Sequence, residues 1–99
     1  MKVMIGLVRR DDMTHAEFAH WWLEEHAPLA RTLPGVQRIR FNLLDEDAPF
    51  DGIAELWFES AEAADAAYAT ETGKAVAADS LAHVSSRVRM PADEHAIWG

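Results

Sequence analysis

Two ionisable side chains stand out by their settings, His26 and Glu55. His26 closes an apolar stripe: Phe18, Trp22, His26 and Leu29 recur at steps of four and three, so they share one face of a helix. An imidazole titrates near neutral pH, and a flank such as Trp22 tunes it for general acid–base work. The competing reading is a histidine that packs the helix end and caps a carbonyl. Glu55 stands in mid-strand between Ile53 and Trp57, on the face where a pocket is expected. An unpaired carboxylate there is desolvated and its pKa rises, which suits moving a proton next to a carbonyl. The competing reading is an ion pair with Arg38, Arg40, Arg87 or Arg89. Arg38, Asn42 and Arg87 are the candidate groups for holding a carboxylate or enolate-like oxygen, although edge strands also carry such charges for solubility. Gly6 either deepens the cavity by omitting a side chain or relieves crowding against Trp57.

Other chemistries lack their residues. There is no cysteine, hence no thiol nucleophile and no disulfide. His15, His20 and His26 are spaced by five and six, off the i, i+4 pairing of zinc helices, and His20 with Glu24 reads as a solvated pair, so no metal site is predicted. No nucleophile elbow, phosphate loop or dinucleotide fingerprint is present. Four tryptophans invite a haem or flavin, but aromatic residues pack cores and interfaces routinely, and His26 is the one well-placed axial ligand. No bound cofactor is expected. A net charge of −8 argues against nucleic acid and anionic membranes as partners. No apolar run approaches membrane-spanning length and no signal-peptide core opens the chain, so the default location is cytoplasmic.

The elements that position these residues follow from periodicity. Lys2 to Arg9 alternates apolar residues on both faces and reads as a central strand. Thr14 and Glu17 form a capping box for a helix that Pro28 ends or kinks near His26, with a short further turn from Leu29 to Leu33. Strands follow over Val36 to Leu44 and Ile53 to Glu59. Ser60 caps a helix to about Thr70, a short helical stretch covers Gly73 to Asp79, and Val84 to Met90 is the last strand. The order β-α-β-β-α-β over a single domain, residues 1–99, predicts a ferredoxin-like α+β fold with a four-stranded antiparallel sheet. Helices cover Val3/Ile5/Leu7, Ile39/Phe41/Leu43 and Ala54/Leu56/Phe58. The other face then carries Met4, Gly6, Val8, Arg38, Arg40, Asn42, Ile53, Glu55, Trp57, Arg87 and Arg89. Leaving Trp57 and Met4 in water is unfavourable, so a second subunit is expected sheet to sheet, enclosing a ligand cavity.

The chain resembles the EthD family of dimeric α+β barrels. The resemblance is carried by Met13-Thr14, Glu17-Phe18, Trp22, His26-Ala27-Pro28-Leu29-Ala30, Leu33-Pro34-Gly35, Asp51-Gly52-Ile53-Ala54-Glu55-Leu56-Trp57-Phe58 and Glu94-His95. Members often have glycine where this chain has Ala27. The resemblance implies a homodimer acting on a small oxygenated organic molecule of catabolism or secondary metabolism. Relatives include a methylmuconolactone isomerase and fungal dehydratases and ring-forming enzymes, and the wider superfamily includes cofactor-free monooxygenases. On this reading His26 and Glu55 move a proton in a pocket between sheet and first helix, with Gly6, Trp22, Arg38, Asn42, Trp57 and Arg87 lining it. Two alternatives stand beside it: a non-catalytic ligand-binding or accessory protein of an oxygenase pathway, and a structural dimer whose barrel is filled by its own side chains.

Overall fold

The computed structural model describes residues 1–99. Strand β1 (Lys2–Arg9) is central in a four-stranded antiparallel sheet of order β2-β3-β1-β4, with β2 Arg38–Leu43, β3 Gly52–Trp57 and β4 Val84–Ala92. The ferredoxin-like order expected from periodicity is the observed one. All helices lie on one face. There Val3, Ile5 and Leu7 of β1 and Ala54 and Leu56 of β3 meet Phe18, Trp22, Ala64, Ala67 and Val76 in the core. No helix is long and apolar enough to cross a membrane.

Helix α1 (His15–His20) starts at the predicted capping box: the Thr14 hydroxyl accepts from the Glu17 N–H at 3.1 Å, and the Thr14 N–H donates to the Glu17 carboxylate at 2.8 Å. The helix neither ends nor breaks at His26. It widens into a π-helical turn over Trp21–His26 and runs on as α2 (Ala27–Ala30). The Ala27 N–H bonds to Trp22 O, five residues back, so Pro28 is accommodated just past the wide turn without leaving the helical backbone region. The wide turn buries Trp21 beside Trp22 and His26, rather than leaving Trp21 on the flank.

Of the two further helices, the first has the expected length and the second is longer than expected. Ser60 caps α3 (Ala61–Ala69). Thr70 caps α4 (Glu71–His83), which extends a full turn beyond Asp79. Asp79, where the expected stretch ends, and Ser80, where the extra turn begins, lie against the first helix.

Strand β4 departs from a simple alternation. The register shifts between Val8 and Arg9: Val8 faces Ser86 while Arg9 faces Val84. The Ser85 hydroxyl donates to the Arg9 carbonyl at 2.9 Å at this bulge. In consequence Val84 is buried on the helix side, and the half-buried side chains of Arg87, opposite Leu7, and Arg89, opposite Ile5, turn to that side with their Nε atoms out of water. The expected placement of these two arginines on the open face is therefore corrected: the bulge inverts the phase of the strand.

The open face carries Met4, Gly6, Val8, Ile53, Glu55, Trp57, Val88 and Met90, with Arg38, Arg40 and Asn42 on the edge strand. The molecule is a slab, 37 × 36 × 19 Å, with only 21 of 99 residues buried, and one side of the sheet has no helix over it.

Candidate active site

His26 sits at the end of the wide turn and is 5% exposed. Its Nδ1 lies 2.8 Å from Asp79 Oδ2, and its Nε2 lies 3.2 Å from Ser80 Oγ. A carboxylate only accepts, so Nδ1 carries the proton of the neutral ring and Nε2 offers its lone pair to the Ser80 hydroxyl. Asp79 Oδ2 also accepts from the Trp21 indole N–H at 3.2 Å. The ring of Trp21 is stacked on His83, centroids 4.5 Å apart. Burial pushes the His26 imidazole below its usual range, against the hydrogen bond and charge of Asp79, which pull it up; the charges of Arg87 and His83 add to the lowering.

A small cavity of about 20 Å³ lies between the sheet and the first helix, enough for about one water molecule. Trp22, His26, Phe41, Tyr68, Ser80 and Arg87 line it. Trp22 stacks on Phe41 at 4.3 Å and 8° between planes. Two buried donors of this lining have no protein acceptor, the Trp22 indole N–H and Arg87 Nε. Arg87 has only Tyr68 as a polar neighbour, its guanidinium 5.8 Å from the ring centroid. Burial lowers the Arg87 pKa and raises that of the Tyr68 phenol.

The Asp51-Gly52 pair supports this arrangement from below. Buried Asp51 accepts from the Arg9 N–H at 2.8 Å, from the His15 ring at 2.9 Å and from the Arg9 guanidinium, tying the end of β1 to the start of α1. Burial works to raise its pKa, but these three bonds leave it lowered. At Gly52 a Cβ would lie 2.5 Å from the Trp22 ring, so the flat face of the indole rests on bare backbone.

The expected site residues fall into two groups. His26, Trp22 and Arg87 meet at the cavity. Gly6, Arg38, Asn42, Glu55 and Trp57 lie on the opposite face of the sheet, because Met4↔Glu55 and Lys2↔Trp57 pair with side chains pointing away from the helices. Glu55 bonds to Asn42 Nδ2 and to Lys2 Nζ, each at 2.9 Å. Those partners lower its pKa, so the rise expected for an unpaired carboxylate does not occur. Its salt partner is Lys2, rather than any arginine. Trp57 is covered by Arg38 at 4.6 Å and donates to Glu94 at 3.1 Å. Gly6 opens no cavity: the Phe50 ring occupies the place of its missing Cβ. Within one subunit His26 and Glu55 are separated by the sheet.

Asp79, Ser80, Phe41 and Tyr68 were not among the residues singled out from sequence. Val76 and Ser80, four apart, carry the one signal: a buried face on a helix longer than its apolar pattern suggests. No group of three or more His, Cys, Asp or Glu side chains is arranged to hold a metal ion.

The fold and cavity define a ferredoxin-like α+β protein with a histidine-centred pocket between sheet and helices. The chain belongs to the EthD family: the EthD domain matches residues 10–86. It is similar in structure to an ethyl tert-butyl ether D (EthD) family protein from Bacillus halodurans C-125, with TM-score 0.82, 22% identity and coverage of 96% of this chain and 99% of that one. It is also similar to At3g17210 from Arabidopsis thaliana (TM-score 0.75, 15% identity, 98% and 97% covered). A third likeness is to a dimeric ferredoxin-like protein from Bacteroides fragilis (TM-score 0.69, 13% identity, 90% of each chain). No curated protein matches.

Proposed function

We propose that the chain is an enzyme acting on a small oxygenated organic molecule, with His26 as its proton-transfer group. The observation that carries this reading is the His26 environment: a buried imidazole whose Nδ1 is held by Asp79 and whose Nε2 faces a pocket with two unpartnered N–H donors. Burial keeps the ring neutral, so Nε2 is free to accept a proton near neutral pH. The Ser80 hydroxyl turns off Nε2 as the substrate C–H beside a carbonyl takes its place. The proton moves to Nε2, the electron pair of the C–H bond moves onto the carbonyl oxygen, and Arg87 with the Trp22 N–H stabilises that oxygen. Asp79 stabilises the imidazolium. Returning the proton to another carbon isomerises the substrate; alternatively the enolate re-forms its carbonyl and a C=C bond as the β-C–O bond breaks, and the hydroxyl takes the proton from His26 Nε2 and leaves as water. The cavity holds about one water molecule, so a substrate enters only as the lining side chains part. The organic chemistry uses side chains alone on this reading.

Glu55 then belongs to the open face, where it joins Lys2, Asn42 and Glu94. We place a second copy of the chain on that face, in line with the dimeric neighbour from Bacteroides fragilis. The test is turnover against a panel of enolisable ketones and lactones. His26→Asn should lower turnover by roughly 100-fold or more, while Glu55→Gln should change it less than threefold. Turnover unaffected in His26→Asn, with the fold intact, removes the mechanism. A ligand retained through purification and unchanged on long incubation would instead favour an accessory binding role.

A further inference from the structure

Arg87 is costly where it stands. The residue is half-buried with its Nε out of water, the neutral Tyr68 phenol is its one side-chain hydrogen-bond neighbour, no carboxylate pairs with it, and the charge that faces it is another cation, Arg89. Arg89, two residues on, also has a buried Nε without an acceptor, but its guanidinium reaches the Asp65 carboxylate at 3.3 Å and stacks over Tyr68 at 4.8 Å. The chain has 17 acidic residues against 9 basic ones, yet none of the acids serves Arg87. A half-buried charge without a counter-ion costs desolvation that a neutral phenol does not offset, so packing alone gives no account of it. Arg87 also lines the same cavity as His26 Nε2 and the unpartnered Trp22 N–H. The rest of that lining is mainly apolar, from Ile5, Leu7, Ala54, Leu56 and Val76.

We infer that the missing counter-ion is the ligand: a small, largely apolar molecule bearing one oxyanion, carboxylate or conjugated enolate, which docks on the Arg87 fork beside the Trp22 N–H. This rests on the cavity being the ligand site and names the chemical class that fills it. Guanidinium is suited to the task because its planar donors match two oxygens of a delocalised anion. The apolar walls take the body of the molecule, and Tyr68 closes the site over the charge. The inward aim of Arg87 follows from the bulge at Ser85, so the bulge is the device that delivers the charge to the pocket.

The test is calorimetric binding with two matched pairs, benzoate against benzamide and 4-nitrophenolate against nitrobenzene. The first pair reports a carboxylate and the second a conjugated oxyanion. In at least one pair the anion should bind 10-fold or more tightly than its neutral partner, and Arg87→Met should abolish that preference. Arg87→Met should also melt at or above the wild-type temperature, since it replaces an unpaired charge by an apolar stem; a residue kept for structure would show a fall. Equal binding within both pairs, a preference that survives Arg87→Met, or no binding of either anion at millimolar concentration overturns the inference. His26→Asn separates it from the proton-transfer reading. Anion binding retained with turnover lost supports both; anion binding retained with turnover unchanged leaves the anion site standing and removes the mechanism.

Discussion

Replacing Asp79 by alanine removes one acceptor and strands two donors. Oδ2 takes the His26 Nδ1–H at 2.8 Å and the Trp21 indole N–H at 3.2 Å. His26 is 5% exposed and Trp21 3% exposed, so water replaces the lost acceptor poorly. Each stranded buried donor costs about 1–3 kcal/mol. Asp79 itself is more open, its side chain 28% exposed, and some solvent enters the space it leaves, which places the sum near the lower end, about 2–4 kcal/mol for both donors. Asp79→Asn keeps an amide oxygen in the same place and loses only the charge, so its cost should be about 1 kcal/mol. Urea unfolding at constant m then resolves the two variants by their midpoints. NMR titration of the imidazole supplies a second readout: without the carboxylate charge the His26 pKa in Asp79→Asn should fall further below that of the wild type. Equal stabilities for the two variants, or a His26 pKa that rises in Asp79→Asn, would refute the dyad as the element that holds the ring.

Because burial depresses the folded-state pKa of His26, the unfolded chain binds its proton first on acidification. The stability this group contributes is fully present above about pH 6.5 and is lost as pH falls through the lower folded value; melting curves from pH 8 to 5 should show the fall, and His26→Gln should flatten it. Gly52→Ala should cost about 1–3 kcal/mol by overpacking, because the Trp22 ring is fully buried and stacked on Phe41 and has no room to yield. Gly6→Ala should cost less, since half-buried Phe50 can swing aside, and chemical denaturation of the pair measures the difference. Native mass spectrometry of the chain should give a dimer, and Val88→Asp, on the open face where Val88 is 41% exposed, should give a monomer with the helix-side core intact; a wild-type monomer would leave the open face without its proposed cover.

The sequence determined the order of elements and the inward faces of three strands, because both follow from local rules. A period of two on β1, β2 and β3 puts Val3, Ile5, Leu7, Ala54 and Leu56 on one side whatever else the chain does. The Thr14 and Ser60 caps are equally local. His26 and Trp22 were also visible as an imidazole and an indole on one helix stripe, whereas Asp51 and Gly52 entered only through the family resemblance, and what they do, tying β1 to α1 and seating Trp22, appeared only once distant residues were brought to them. Three decisions belonged to tertiary structure. The bulge beside Ser85 inverted β4 and carried Arg87 from the open face to the pocket; one extra residue in a pairing register leaves no mark on composition. The docking of α4 on the first helix set the partners of His26, since Asp79 and Ser80 lie 53 and 54 residues away and no local pattern pairs residues so distant. The sheet itself divided His26 from Glu55, two candidates that a linear reading could place in one pocket but that three-dimensional packing holds on opposite sides.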